Sequence, residues 1–135
     1  MCLVVMRNQN LISIRPQLNL SPSNLTAEKQ PTIESFQNST LRPILKMQHD
    51  LILLIWKNYL SKQKKEVFPT TNQLRQAEFI AHNVKSDLKL KNRFIGTIIG
   101  HFTADEFAFF AENEAELMRR MTDLLVQRLQ STIES

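Results

Sequence analysis

The sequence predicts an all-α fold: a bundle of about four main helices preceded by a disordered N-terminal tail. Only two glycines and five prolines interrupt the 135 residues, too few turn formers for a many-stranded sheet. Apolar residues recur at helical spacing in several successive segments after residue 40. The composition, 42% hydrophobic and 22% charged, is typical of a globular chain, and the length indicates one domain.

Residues 1–31 are rich in Asn, Gln, Ser and Pro and show no helical period, so we interpret them as a mostly unstructured tail. Residues 32–135 then form the helical bundle domain. Met6 is as good a start site as Met1, which leaves open whether residues 1–5 belong to the protein.

Charge and cysteine content limit the possible classes of protein. The net charge of +4 and a pI of about 9.5 permit weak attraction to anionic partners without implying one. Cys2 is the only cysteine, which excludes an internal disulfide and favours a reducing, cytoplasmic location. No apolar stretch approaches the roughly 20 residues that span a bilayer, and the start lacks a secretory leader, so we expect no membrane association.

The first predicted helix covers residues 41–60 and contains the apolar run LILLIW at residues 51–56. A helix that is apolar nearly all round is buried on several sides, so we expect the other helices to enclose this one. It begins near Ser39 or Thr40, either of which can cap it, and Pro43 falls in its first turn.

The second helix follows a capping pair at Thr70 and Gln73, and a break is expected within residues 86–91. The third helix covers roughly residues 91–102 and carries Gly96 and Gly100. Two helix-interior glycines cost about 2 kcal/mol relative to alanine, so we expect another helix to approach the backbone there. Gly100 as a helix terminator and a ligand lying against the backbone are the alternatives.

The fourth helix has the strongest start signal, the capping box formed by Thr103 and Glu106. It runs over residues 104–132, and a step at Asn113 is left open. If it is continuous, Glu114 lies on its apolar face and needs a partner.

Polar residues on apolar faces give the sharpest site hypothesis, a shared polar pocket with Arg120 or Arg42 at its mouth. Its members are Gln48, His49, His101 and Glu114. The competing interpretation is a structural hydrogen-bond network, or a helix step that turns Glu114 outward. No catalytic motif is present, the three histidines are scattered, and we expect neither a metal site nor a cofactor.

A second candidate site is the basic segment of residues 85–93, the only cluster that could follow phosphate groups. Its members are Lys85, Lys89, Lys91 and Arg93. Because it lacks a nucleic-acid-binding motif and neighbouring exposed aromatics, a solvated helix junction is the favoured interpretation. Acidic residues concentrate in residues 105–116, and such charge segregation suits self-association or a charged protein partner.

Three strings, LRPILKMQHDL, IIGHFTADEF and FFAENEAELMRRMTDLLVQRLQ, lie within residues 36–130. This part of the chain resembles a family of small all-helical bacterial proteins that often carry the label "glyoxalase". The resemblance implies a helical fold and a bacterial source. It implies no activity, because the chain lacks the HxHxDH cluster, the paired sheets and the cysteine elbow of the known glyoxalase types.

Taken together, these features favour an interaction or assembly module, with a homodimer as one form of it, over an enzyme. The alternatives are a ligand-binding or enzymatic bundle with its pocket around Glu114 and His101, and a weak nucleic-acid-binding protein that uses residues 85–93.

Overall fold

The computed structural model describes residues 3–15, 32–63 and 72–133. These residues contain no strand, and the predicted all-α class is confirmed. None of the described helices is long and apolar enough to cross a membrane. The helices, in chain order, are α1 (Leu3–Ile14), α2 (Ile33–Phe36), α3 (Arg42–Met47), α4 (His49–Lys62), α5 (Gln73–Ser86), α6 (Leu88–Ile99), α7 (Ala104–Glu112) and α8 (Glu114–Gln130), with a π-helical segment, Gln37–Leu41, between α2 and α3.

Helix α8 lies at the centre of the bundle. It packs against α5, α6 and α7. Seven of its residues are buried, including Leu117, Met121 and Leu125, whereas α4 buries only Ile52 and Trp56. Burial of apolar surface drives folding. The helices are therefore organised around α8 rather than around residues 41–60.

The prediction that residues 51–56 are enclosed on several sides is only half right. Trp56 is buried and stacks on Tyr59 with ring centroids 5.5 Å apart. Leu51 and Leu54, however, are 43% and 61% exposed. One side of α4 faces the core, and the other presents two leucines to solvent.

The helical run that leads into α4 begins earlier than predicted. Thr32 caps α2 by accepting a hydrogen bond from the Ser35 backbone N–H, so the start lies well before Ser39 and Thr40. Pro43 lies within the run rather than at its start. A proline ring crowds the carbonyl group four residues earlier, and the wider π-helical turn before it accommodates that crowding.

The break predicted within residues 86–91 falls at Asp87. Its extended backbone ends α5, and its carboxylate accepts a hydrogen bond from the Leu90 N–H to start α6. Asn72 caps α5, and Thr70, the predicted capping residue, lies outside the described residues. The capping box of Thr103 and Glu106 is confirmed at the start of α7.

The two glycines of α6 do not mark a close helix contact in the described chain. A Cβ added at Gly96 would meet no atom within 4 Å, and one at Gly100 would approach only the Gly96 and Thr97 carbonyl oxygens, at 3.3 and 3.9 Å. Gly100 directly follows α6, as expected of a terminator. Among residues 3–15, 32–63 and 72–133, no second helix therefore approaches the backbone at Gly96 or Gly100, and their helix-packing role stays a prediction.

Helix α1 lies within residues 1–31, the stretch that the sequence predicts as a disordered tail. Its Asn8 side chain accepts a hydrogen bond from the Ala104 N–H at 2.9 Å, which joins α1 to the start of α7. The described part of this stretch is thus helical and in contact with the bundle. Residues 16–31 lie outside the described residues.

Candidate functional site

Two members of the predicted polar pocket do meet. Gln48 lies at the break between α3 and α4, where its backbone leaves helical geometry with φ −90° and ψ +10°. Its side-chain Nε2 lies 2.7 Å from Nε2 of His101, in the turn between α6 and α7. Because an amide nitrogen only donates, Gln48 donates and the His101 Nε2 accepts, which fits the neutral imidazole.

Arg7 of α1 and Arg15, which directly follows α1, bind the same turn. Arg7 donates to the Phe102 and Gly100 carbonyl oxygens at 2.6 and 2.9 Å, and Arg15 donates to the His101 carbonyl oxygen at 2.7 Å. The carbonyl groups at the end of a helix have no partner within it and carry its negative dipole charge. The arginines satisfy these carbonyl groups just beyond α6.

Arg15 also forms a buried ion pair with Glu106. Its Nη1 donates to Oε2 at 3.0 Å and its Nη2 to Oε1 at 2.5 Å. Arg15 is 4% exposed and Glu106 is 0% exposed. Oε1 of Glu106 also accepts from the Thr103 backbone N–H at 2.8 Å, so one carboxylate serves both the capping box and the ion pair.

This environment favours a neutral His101. Burial, followed by the positive charges of Arg15 and Arg7, lowers the pKa of His101 below 6.5. A lowered pKa is one mark of a functional site, but a structural network produces it too. Here the polar groups of the turn are occupied by each other, and neither Gln48 nor His101 lines any of the three clefts described below. The cluster joins α1 to the bundle.

The other predicted members of the pocket lie elsewhere. Helix α7 ends at Asn113, whose backbone, with φ −126° and ψ +32°, separates it from α8. That step turns Glu114 to solvent, so it is not the buried carboxylate that a continuous helix would have produced. His49 Nδ1 accepts a hydrogen bond from Arg128 at 3.1 Å.

Arg120, the predicted mouth residue, donates to Gln37 at 3.1 Å and to Glu116 at 2.9 Å. Glu116 also accepts from Arg119, and hydrogen bonds from these two arginines lower the pKa of Glu116 to about 2. The pocket of Gln48, His49, His101, Glu114 and Arg120 is therefore divided among separate contacts.

The basic segment borders a cleft of about 520 Å³ between the α5–α6 junction and α8. Lys85 and Lys91 line it, and Lys85 forms an ion pair with Asp123 at 3.6 Å. Lys89 and Arg93 are exposed and line none of the clefts. The acidic Asp123 in the cleft lowers its attraction for phosphate, and nucleic-acid binding there stays a prediction.

The solvent face of α4 carries two exposed leucines that lie outside the core. Leu54 lies at its centre with Leu51 beside it, and Asp50 and Lys57 lie seven residues apart along one flank. All four side chains are exposed. Among the described residues, neither Asp50 nor Lys57 has an ion-pair partner. We call these four residues the α4 surface.

No group of three or more histidine, cysteine, aspartate or glutamate side chains is placed to hold a metal ion within residues 3–15, 32–63 and 72–133. Comparison of the chain with protein-family models, with curated proteins and with solved structures found no match.

Proposed function

We propose that the protein is an assembly module that pairs with a second copy of itself through the α4 surface. The observation that carries the proposal is Leu54, 61% exposed at the centre of a helix face that is bordered on one flank by Asp50 and Lys57, which have no ion-pair partner among the described residues. Isolated exposed leucines are common on soluble proteins. A leucine pair beside two opposite charges is more specific, because it is complementary to itself.

The complementarity follows from symmetry. In the proposed dimer, two antiparallel copies of α4 are related by a two-fold axis that passes near Leu54. The charged flank of one helix then lies beside the charged flank of the other, and the two helices run in opposite directions. Asp50 of one copy then lies opposite Lys57 of the partner subunit, and the reverse pair forms as well. The two leucines of each copy fill the space between these ion pairs. A parallel arrangement would place like charges at the same height.

The expected association is modest because the apolar centre is small. Burying a leucine side chain contributes about 1.5–3 kcal/mol, and part of that gain is lost to the entropy of association. We expect a dissociation constant of about 10–100 μM, which sedimentation velocity over a concentration series resolves. A monomer throughout that series would contradict the proposal.

Substitutions distinguish a specific dimer interface at the α4 surface from nonspecific association through exposed leucines. Leu54→Lys should abolish the dimer, whereas Leu74→Lys, at a leucine 68% exposed on α5, should leave it unchanged. Asp50→Lys alone should weaken the dimer by placing like charges together. The double variant Asp50→Lys/Lys57→Asp should restore it. Equal loss in both leucine variants, or no restoration by the charge exchange, would remove the basis for this interface.

The family resemblance and the cytoplasmic location stay predictions. The resemblance of residues 36–130 to the small all-helical bacterial family assigns no activity to the α4 surface. A cytoplasmic location is supported by the single cysteine of the chain.

A further inference from the structure

Arg42 and Arg128 are cationic side chains that line one cleft, and no carboxylate among the described residues pairs with either of them. The cleft has a volume of about 220 Å³ and lies between α3 and the end of α8. Three other arginines form ion pairs: Arg15 pairs with Glu106, while Arg119 and Arg120 pair with Glu116. Within the described part of the chain, neither Arg42 nor Arg128 forms an ion pair.

Both guanidinium groups keep donors available. Arg42 uses its Nε to hold Asn38 Oδ1 at 3.2 Å, and Arg128 uses its Nη1 to hold His49 Nδ1 at 3.1 Å. Each arginine carries five N–H donors, so several remain on each after these bonds. The bonds fix the side chains in place, which reduces the entropy lost when a ligand binds.

The apolar lining of the cleft strengthens the attraction between the two arginines and a bound anion. Leu45 and Leu124 are 2% and 7% exposed and line its apolar side, where charge interactions are less screened than in open water. Gln127 adds a side-chain amide at the rim. The negative end of the α8 dipole opposes an anion here, but a dipole end carries about half a charge against two full charges on the arginines.

We propose that this cleft binds the phosphate group of a small phosphate monoester. The two guanidinium groups match the two negative charges of a phosphate monoester, and their forked donors fit its oxygens. A single carboxylate would neutralise only one of them. None of the residues that line this cleft belongs to the α4 surface.

In the proposed complex, the neighbouring cleft accommodates the organic part of the ester. It has a volume of about 310 Å³, and Arg128 lines both clefts. Met47 and His49 supply it with apolar and aromatic surface, and its charged lining residues are Lys46, Asp50 and Arg128. The apolar and aromatic surface suits the organic group of the ester. The phosphate lies between the arginines of the first cleft.

Titration of the full chain with inorganic phosphate and with phenyl phosphate, followed by calorimetry and by NMR of the arginine Nε–H groups, tests the site. We expect saturable binding of phosphate with a dissociation constant of about 1 mM, and tighter binding of phenyl phosphate. Acetate should bind at least 10-fold more weakly than phosphate. Equal affinity for phosphate and acetate, or no saturation by phosphate, would overturn the proposal.

Four variants locate the binding. Arg42→Met and Arg128→Met should each weaken phosphate binding about 10-fold or more, and Arg128→Lys should also weaken it because lysine lacks the fork. Arg93→Met, on exposed α6 surface outside both clefts, is the matched control and should bind like the parent. Loss in Arg93→Met equal to that in Arg42→Met would show general charge attraction instead. Arg128→Met should leave the sedimentation behaviour unchanged, which keeps this result independent of the α4 surface.

Discussion

Arg15 and Glu106, which are 91 positions apart in the sequence, form a bidentate ion pair, and almost none of either side chain is exposed to solvent. The pair connects the end of α1 to the first turn of α7. A buried charge that loses its partner is strongly destabilising, whereas a complete pair gives little net stability over a well-packed apolar pair. The loss of one partner and the loss of both should therefore have very different effects.

Arg15→Ala should lower the free energy of unfolding by about 3–5 kcal/mol, because it leaves the Glu106 carboxylate buried without its counter-charge. Urea denaturation followed by circular dichroism measures the change. The double variant Arg15→Met/Glu106→Gln is the control and should recover most of the loss, since no charge remains buried. A cost below about 1 kcal/mol for Arg15→Ala would mean that α1 does not dock on the bundle in solution.

His101 should make stability depend on pH in a narrow range. Its folded-state pKa lies below 6.5, so the unfolded chain binds a proton more readily than the folded one. The stabilising contribution is fully present above pH 6.5 and is lost as the pH falls through 6.5 towards the folded-state pKa.

Comparing the urea midpoint at pH 7.5 and pH 5.5 tests this sign. The parent protein should be less stable at the lower pH, and His101→Asn should reduce that difference. His82→Asn, on an exposed position of α5, is the control and should leave the difference unchanged. An increase in stability on acidification that disappears in His101→Asn would contradict the direction of the shift.

Gly96→Ala should stabilise the protein by about 0.5–1 kcal/mol, because alanine loses less backbone entropy in a helix and its Cβ meets open space. Gly100→Ala should gain less, since its Cβ would lie 3.3 Å from the Gly96 carbonyl oxygen. Thermal denaturation compares the two at low protein concentration. If Gly96→Ala lowered the stability instead, that result would indicate that another helix approaches the backbone at Gly96.

Local patterns predicted the start of α7 and the break between α5 and α6, whereas the starts of α2 and α5 differ from the predicted ones. The capping box of Thr103 and Glu106 and the break at Asp87 depend on residues within four positions of each other, which a single sequence displays directly. The all-α class follows from the same periodicity. Where the chain departs from a regular helix, at Gln48 and Asn113, the faces on either side rotate, and predicted neighbours separate.

The two arginines of the polar cluster were missed for a different reason. Arg7 and Arg15 act on residues 86 to 95 positions away, and no local spacing reveals such a partner. One signal was present: Arg7, Leu11 and Arg15 recur at intervals of four, which places them on one face of a helix. Polar composition outweighed that interval and indicated a tail. Glu106 was recognised as a cap, but its burial depends on the docking of α1.

The position of the core gives the last prediction. If α8 is the centre of the bundle, Leu125→Ala should cost about 2–5 kcal/mol, because Leu125 is 0% exposed and its truncation leaves a cavity. Leu51→Ala, at a residue 43% exposed, should cost less than about 1 kcal/mol under monomeric conditions. Urea denaturation of the two variants at the same low concentration makes the comparison. Equal losses of unfolding free energy would instead show that residues 51–56 are enclosed, as their apolar run predicts. Truncating a leucine costs as much as truncating Leu125 only when neighbouring atoms surround it on all sides.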